Sequence, residues 1–261
     1  MNLVPRQLLD SMSIVGAFLL IVVILIVTFE VGFRVGDWYQ RRTPGEQEGP
    51  TDMLVGSLLA LLAFMLAVTM GMAADRFDSR RGLVIDEANA IGTAYLRAGF
   101  LPEAEAAASR ELLRAYAPLR VNVDDPAELE AHFFQSEEIH DELWAIIEPL
   151  GREQSSDVLA TYIESLNEMI DLHATRVTAL VYGRVPETLI LLLIGGSALT
   201  LAMVGYSAGL TGRRSPLTAI VLVISLSAVL ALVLDLDRPR NGFLQVSQQP
   251  ILDVVEDIGP P

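Results

Sequence analysis

Uncharged apolar runs dominate the pattern along the chain. Residues 11–29, 53–74, 188–212 and 215–234 contain no Asp, Glu, Lys or Arg, and they are 19, 22, 25 and 20 residues long. About 20 apolar residues at the helical rise cross a bilayer core, so each window predicts a transmembrane helix. Only Arg213–Arg214 separates the last two windows, and Gly209, Gly212 and Pro216 surround that pair. These are turn residues, so the third and fourth spans predict a tight hairpin. The first window follows a single Arg, lacks a small-residue cleavage pattern before "FEVGFR" and is long for the apolar core of a signal peptide. It therefore predicts a retained span.

Between the second and third windows the apolar spacing is helical throughout, with no alternating strand pattern. The second span is predicted to continue through "DRFDSRRGLVIDEANA" to about Phe100, because no Pro interrupts it. Pro102, with acids behind it, opens the next helix, "LPEAEAAASRELLRAYAPL". "NVDDP" breaks the chain, Pro126 opens a further helix, and Gly151 is expected to close it. The last helix of this region is predicted from Ser155–Ser156 to Val185. Its apolar face is Leu159, Ile163, Leu166, Ile170, Val177 and Val181. The tail "FLQVSQQPILDVVEDIGPP" is amphipathic and is expected to pack on the helical body or on a neighbouring subunit. The predicted architecture is all-α: an integral membrane protein with four spans and a helical bundle inserted between the second and third. The corresponding segments are 1–74, 75–186, 187–235 and 236–261.

Composition agrees with this and narrows the function. Hydrophobic residues make up 52% of the chain, as membrane spans require. Cys is absent, which excludes disulfides and thiolate chemistry. Residues 75–187 hold 22 acids and 10 Arg. An acidic body excludes nucleic acid as the natural partner, since phosphate contacts need a basic surface. Four spans put both termini and the body on one side. That side carries eight Arg near span ends against five on the other, so the positive-inside bias predicts a cytoplasmic body and termini in a cell inner membrane.

Two charge-dense segments lie where spans are expected to end. One follows the second span and contains Asp75, Arg76, Asp78, Arg80 and Arg81, with Asp86, Glu87 and Asn89 two turns later. The other, "VLDLDRPRNGF", contains Asp235, Asp237, Arg238, Arg240 and Gly242. Charges at membrane depth must pair or face water. The two segments therefore read either as a belt of ion pairs that fixes helix register, with Asp235 or Asp237 pairing with Arg76 or Arg80, or as the lining of a pathway mouth. Small residues in "IGGSALTLAMVG" suit close helix contact in lipid. Catalytic chemistry finds little support. Glu137 and His140 form one Glu-x-x-His, whereas a di-iron bundle needs two such units and two more Glu. His132 and His173 do not complete a metal set, and no nucleophile or phosphate-loop motif occurs. No metal, cofactor or catalytic residue is expected.

At "DRFDSRRGLVIDEANAIGTAYLRA" and "LDLDRPRNGF", and in its layout of spans, the chain resembles the bestrophin-like family, a bacterial group remotely similar to the bestrophin anion channels. The resemblance implies a homo-oligomer, a pentamer in the bestrophins, in which second spans surround an axis. Aligning Arg76 with that family's post-span Arg implies a pore neck at Ala60, Phe64 and Val68, which share a helical face at i, i+4 and i+8. Ion conduction, with anions as the implied species, is the expected function, and lipid, small ions and further copies of the chain are the expected partners. The alternative is a non-conducting membrane scaffold or sensor whose helical body binds a partner.

Overall fold

The computed structural model describes residues 12–43, 49–123, 125–153, 156–212, 215–239 and 242–260. Among them are eight helices and no strands: α1 (Ile14–Arg42), α2 (Gly49–Ala98), α3 (Glu103–Leu119), α4 (Pro126–Glu153), α5 (Asp157–Tyr182), α6 (Glu187–Thr211), α7 (Pro216–Asp237) and α8 (Gln249–Ile258). Four stretches are long and apolar enough to cross a membrane: α1, α2, the run through α6, and α7. The chain divides into two compact units. One comprises Arg6–Phe77 with Arg184–Gln245, the other Asp78–Gly183 with Val246–Pro261.

The apolar unit contains α1, α6, α7 and the first half of α2. Ser13 caps α1, its hydroxyl accepting the Gly16 N–H at 3.0 Å. The first uncharged window ends at Phe29, yet α1 continues through the charged residues that follow to Arg42. Two i,i+4 pairs support the extension, Glu30–Arg34 at 2.9 Å and Asp37–Arg41 at 2.8 Å. Contact with α6 supports it more strongly. Gly32 and Gly36 on α1 lie against the backbone of Ala202 and Tyr206, and Gly205 and Gly209 on α6 lie against Phe29 and Phe33. A Cβ on Gly209 would fall 2.7 Å from the Asp37 nitrogen and 3.0 Å from the Gly36 Cα, so the backbones touch. This is the close approach that Gly-x-x-x-Gly spacing permits in lipid, here on both helices. Gly212, at φ 64, ends α6 in the left-handed conformation that glycine adopts without strain. Pro216 opens α7 at its first turn. Arg213 and Arg214, the centre of the expected hairpin turn, lie outside the described residues.

The second unit contains the rest of α2, then α3, α4, α5 and α8. Its core includes Ile91, Leu113, Tyr116, Leu143, Ile147, Tyr162, Leu166, Met169 and Ile251. Gly151 does not close its helix. α4 runs two residues further to Glu153, since one glycine near a helix end costs only about 1 kcal/mol. Ser156 caps α5 through the Leu159 N–H at 3.1 Å, and α5 ends at Tyr182 rather than Val185. The buried face of α5 is Leu159, Tyr162, Ser165, Leu166, Met169, His173, Arg176 and Val181. It shares Leu159, Leu166 and Val181 with the predicted face but is turned between them, which leaves Ile163, Ile170 and Val177 half-buried.

Candidate functional site

The helix α2 runs unbroken through Asp75–Arg81. In its membrane half, Ala60, Phe64 and Val68 are all exposed on the isolated chain, Phe64 by 67%. Steps of three or four residues carry that face from Met53 and Ser57 through Gly71 to Asp75, all exposed. Beyond Phe77 the same spacing continues through Asp78, Gly82, Asp86, Asn89, Thr93 and Leu96, of which Gly82 and Thr93 are half-buried. The face therefore carries three carboxylates and no arginine. The nearby basic groups point elsewhere: Arg76 is half-buried, Arg80 is buried and donates to the Gly183 carbonyl at 3.3 Å, and Arg81 is exposed on the flank of the face.

The exposed side chains of α1 and α2 differ in kind. Along α1 from Val15 to Val35 they are Val15, Leu19, Leu20, Val23, Ile26, Val27, Val31 and Val35, with Arg34 between the last two. In the second window they include Gly56, Ser57, Ala60, Ala63, Ala67 and Gly71 among larger residues. Large aliphatic side chains suit acyl chains, whereas small and polar ones suit a protein or water boundary.

The charges after the fourth span are buried, each with its own task. The Asp235 carboxylate accepts the N–H groups of Phe243 at 2.8 Å and Leu244 at 3.0 Å. Gly242 presses against that carboxylate so closely that a Cβ there would collide with it. Asp237 accepts the Val185 N–H at 2.6 Å and pairs with Arg184 at 3.2 Å. Arg238 donates to the Met12 carbonyl at 2.8 Å. "LDLDRPRNGF" thus ties together the chain ends next to α1, α6 and α7. Arg240 lies outside the described residues. Asp235 and Asp237 are thus engaged by Arg184 and by three backbone N–H groups.

Glu87 is separated from its neighbours in sequence. It is fully buried, while Asp86 and Asn89 are exposed. One oxygen receives Arg120 Nε at 2.6 Å, and the other receives Arg176. Arg176 also donates to the Arg120 carbonyl at 3.1 Å, to Asn122 at 3.2 Å and to Gln248 at 2.7 Å. Arg120 lies over the Tyr116 ring at 5.8 Å and the Phe133 ring at 5.9 Å. The signal in the sequence was positional. Glu87 is the one charge in the buried stripe Val84, Glu87, Ile91, Ala94, Ala98, just as Arg176 continues the buried face of α5.

His140 and His173 pack edge-on beside this network, with ring centroids 5.0 Å apart. Burial, followed by the Arg120 charge, lowers the His140 pKa to about 4. Burial, Arg120, His140 and Arg176 together lower that of His173 to about 3. Burial raises the Tyr116 hydroxyl well above its usual range. Glu137 is exposed while His140 is buried. Among the described residues, no group of three or more His, Cys, Asp or Glu could hold a metal ion.

An all-helical chain with four membrane-capable stretches, a mixed small-residue face on the second and a buried ionic core in a second unit defines a multi-span helical membrane protein. The bestrophin-like domain profile matches residues 22–251, and the chain belongs to that family. Among solved structures, it is similar to a bacterial bestrophin homologue from Klebsiella pneumoniae at 18% identity, with a TM-score of 0.67 over 94% of this chain and 97% of the other. It is also similar to a solved membrane protein at 17% identity, with a TM-score of 0.66 over 93% and 95%. These likenesses are of fold. No curated protein matches the chain. Family membership supports a membrane protein of channel type rather than an enzyme.

Proposed function

We propose that the protein is a homo-oligomeric ion channel in which α2 of each copy faces the central axis. Phe64 and Val68 form an apolar constriction that closes by dewetting, with Ala60 beside them. Asp75, Arg76, Arg80, Arg81, Glu87, Asp235, Asp237 and Arg238 act in two ways. The exposed carboxylate Asp75 lines the mouth, while the buried charges lock helix register. The helical body is an insertion between the second and third spans, cytoplasmic together with both termini, in an inner membrane. The observation that carries this reading is the exposed membrane face of α2, built of small and mixed residues where α1 exposes large aliphatic ones.

The resemblance implied anions. The charge on this face argues for cations, because Asp75, Asp78 and Asp86 would raise the local cation concentration in every copy. Flux into liposomes containing the purified protein, followed under chloride and then sodium replacement, tests both points. Current is expected to follow the cation, and Phe64→Ala is expected to raise flux several-fold while the oligomer stays intact. Flux at the level of empty vesicles, with intact oligomers, would overturn the channel reading in favour of a scaffold or sensor.

A further inference from the structure

The C-terminal segment is fastened to α2 at two points, each through an arginine on a third element. Arg176 on α5 spans Glu87 of α2 and Gln248, just before α8, at 2.7 Å from the Gln248 oxygen. Arg114 on α3 spans Tyr95 of α2 at 2.6 Å and the Ile258 carbonyl at 2.9 Å. Glu87 and Tyr95 are eight residues apart on α2, and Gln248 and Ile258 flank the length of α8, so the two bridges fix both ends of one helix to one stretch of another. Ile251 and Ile258 of the same segment are buried, and Ile251 joins the core with Ile91 and Leu113. The Ile258 carbonyl is at the C-terminus of α8, where a guanidinium also meets the negative end of the helix dipole.

We propose that residues 246–258 act as a strap that holds the Glu87–Tyr95 stretch of α2 in place, so that seating or releasing the strap changes how freely that stretch opens. The charge balance makes the bridge at Gln248 adjustable. Glu87 faces two guanidiniums, Arg120 and Arg176, which leaves one positive charge for neutral acceptors, and Gln248 is one of them. A carboxylate at position 248 completes the balance, whereas a methyl group removes the acceptor. The consequence for ion flow rests on the channel reading; the mechanical link does not.

Hydrogen–deuterium exchange on full-length protein in detergent tests the link. Gln248→Ala and Arg114→Met are each expected to raise exchange about five- to tenfold in residues 248–258 and, in parallel, in residues 87–95, as loss of one such bond would. Exchange in α1 and α6 is expected to stay the same. Gln248→Glu is expected to slow exchange in both segments. If α8 loosens while 87–95 keeps its protection, or if Gln248→Glu loosens the strap as Gln248→Ala does, the proposal is overturned. In liposomes the same variants should change flux several-fold in opposite directions. Vesicles that stay closed with wild-type protein would overturn the channel reading alone, since the exchange measurement needs no conduction.

Discussion

The two compact units hold their helices together by different means. In the unit with α1, α6 and α7, the first two meet at glycines, Gly32 and Gly36 facing Gly205 and Gly209 with backbone against backbone, beside an apolar cluster that includes Ile21, Leu25, Leu193 and Leu230. In the other unit, helices meet through large apolar side chains around Glu87, a carboxylate with no exposed surface. Solvent explains the difference. Lipid tails are as apolar as leucine, so burying leucine between spans gains little there, and close van der Waals contact must hold the helices instead. Water drives apolar side chains together, and a core so formed can enclose an ion pair if every member is bonded. The first unit should therefore be sensitive to added volume, and the second to removed charge.

The largest expected effect is at Gly205. Gly205→Leu drives a side chain into the Phe29 backbone, whose carbonyl oxygen would collide with the new Cβ. Overpacking costs about 1–3 kcal/mol where side-chain neighbours can shift, and parting two backbones costs more than any change below. Little folded protein should elute from size exclusion in detergent. Gly195 lies on the same helix, and a Cβ there would meet nothing within 4 Å. Gly195→Ala should therefore be tolerated, and equal losses at both positions would break the comparison.

Glu87→Ala comes next. It leaves Arg120 and Arg176 buried beside each other without a counter-charge, a change that costs about 3–5 kcal/mol. The chain has two tryptophans, Trp38 in the apolar unit and Trp144 in the other. With Trp38→Phe as background, the Trp144 signal should unfold at lower denaturant. With Trp144→Phe as background, the Trp38 signal should move less. Asp235→Asn is milder, about 1–2 kcal/mol, because the amide oxygen still accepts one of the two backbone N–H groups. That loss should be read by Trp38 and not by Trp144.

The gentlest perturbation, which changes no residue, is that of pH. His140 and His173 titrate near 4 and 3 in the folded protein against 6.5 when exposed. Below pH 6.5 the unfolded chain takes up these protons first, so the stability of this unit falls as pH drops from 6.5 towards 4. His173→Phe should flatten the Trp144 midpoint between pH 6.5 and 5, and an unchanged slope would dissociate the pair from the effect.

The spans were legible because hydrocarbon forbids charge, so a run without Asp, Glu or Arg marks a crossing whatever surrounds it. The extension of α1 was not. Glu30, Arg34, Asp37 and Arg41 look like a loop, and the partner that keeps them helical is α6, far along the chain. The charge-rich motifs were legible as important segments but not as contacts. Glu87 looked like a member of a surface cluster, yet it shares a stripe with Val84, Ile91 and Ala94, which a count of helical steps detects. Its partners Arg120 and Arg176, and Gln248 bound in turn to Arg176, come from three other places in the chain, and no local pattern joins them. The predicted face of α5 holds Leu159, Leu166 and Val181 and is turned between them because Tyr162, Met169, His173 and Arg176 were not counted as interior residues.

The length of α1 bears on how the protein meets membranes of different thickness. Its 29 residues span about 44 Å at the helical rise, against a hydrocarbon layer of about 30 Å. A lone helix of that length would lean further in a thin bilayer and straighten in a thick one. Here the interlocked glycines fix its register along α6, and independent leaning would drive one backbone into the other. Where protein and bilayer disagree in thickness, it is therefore the lipid that deforms around the helix pair.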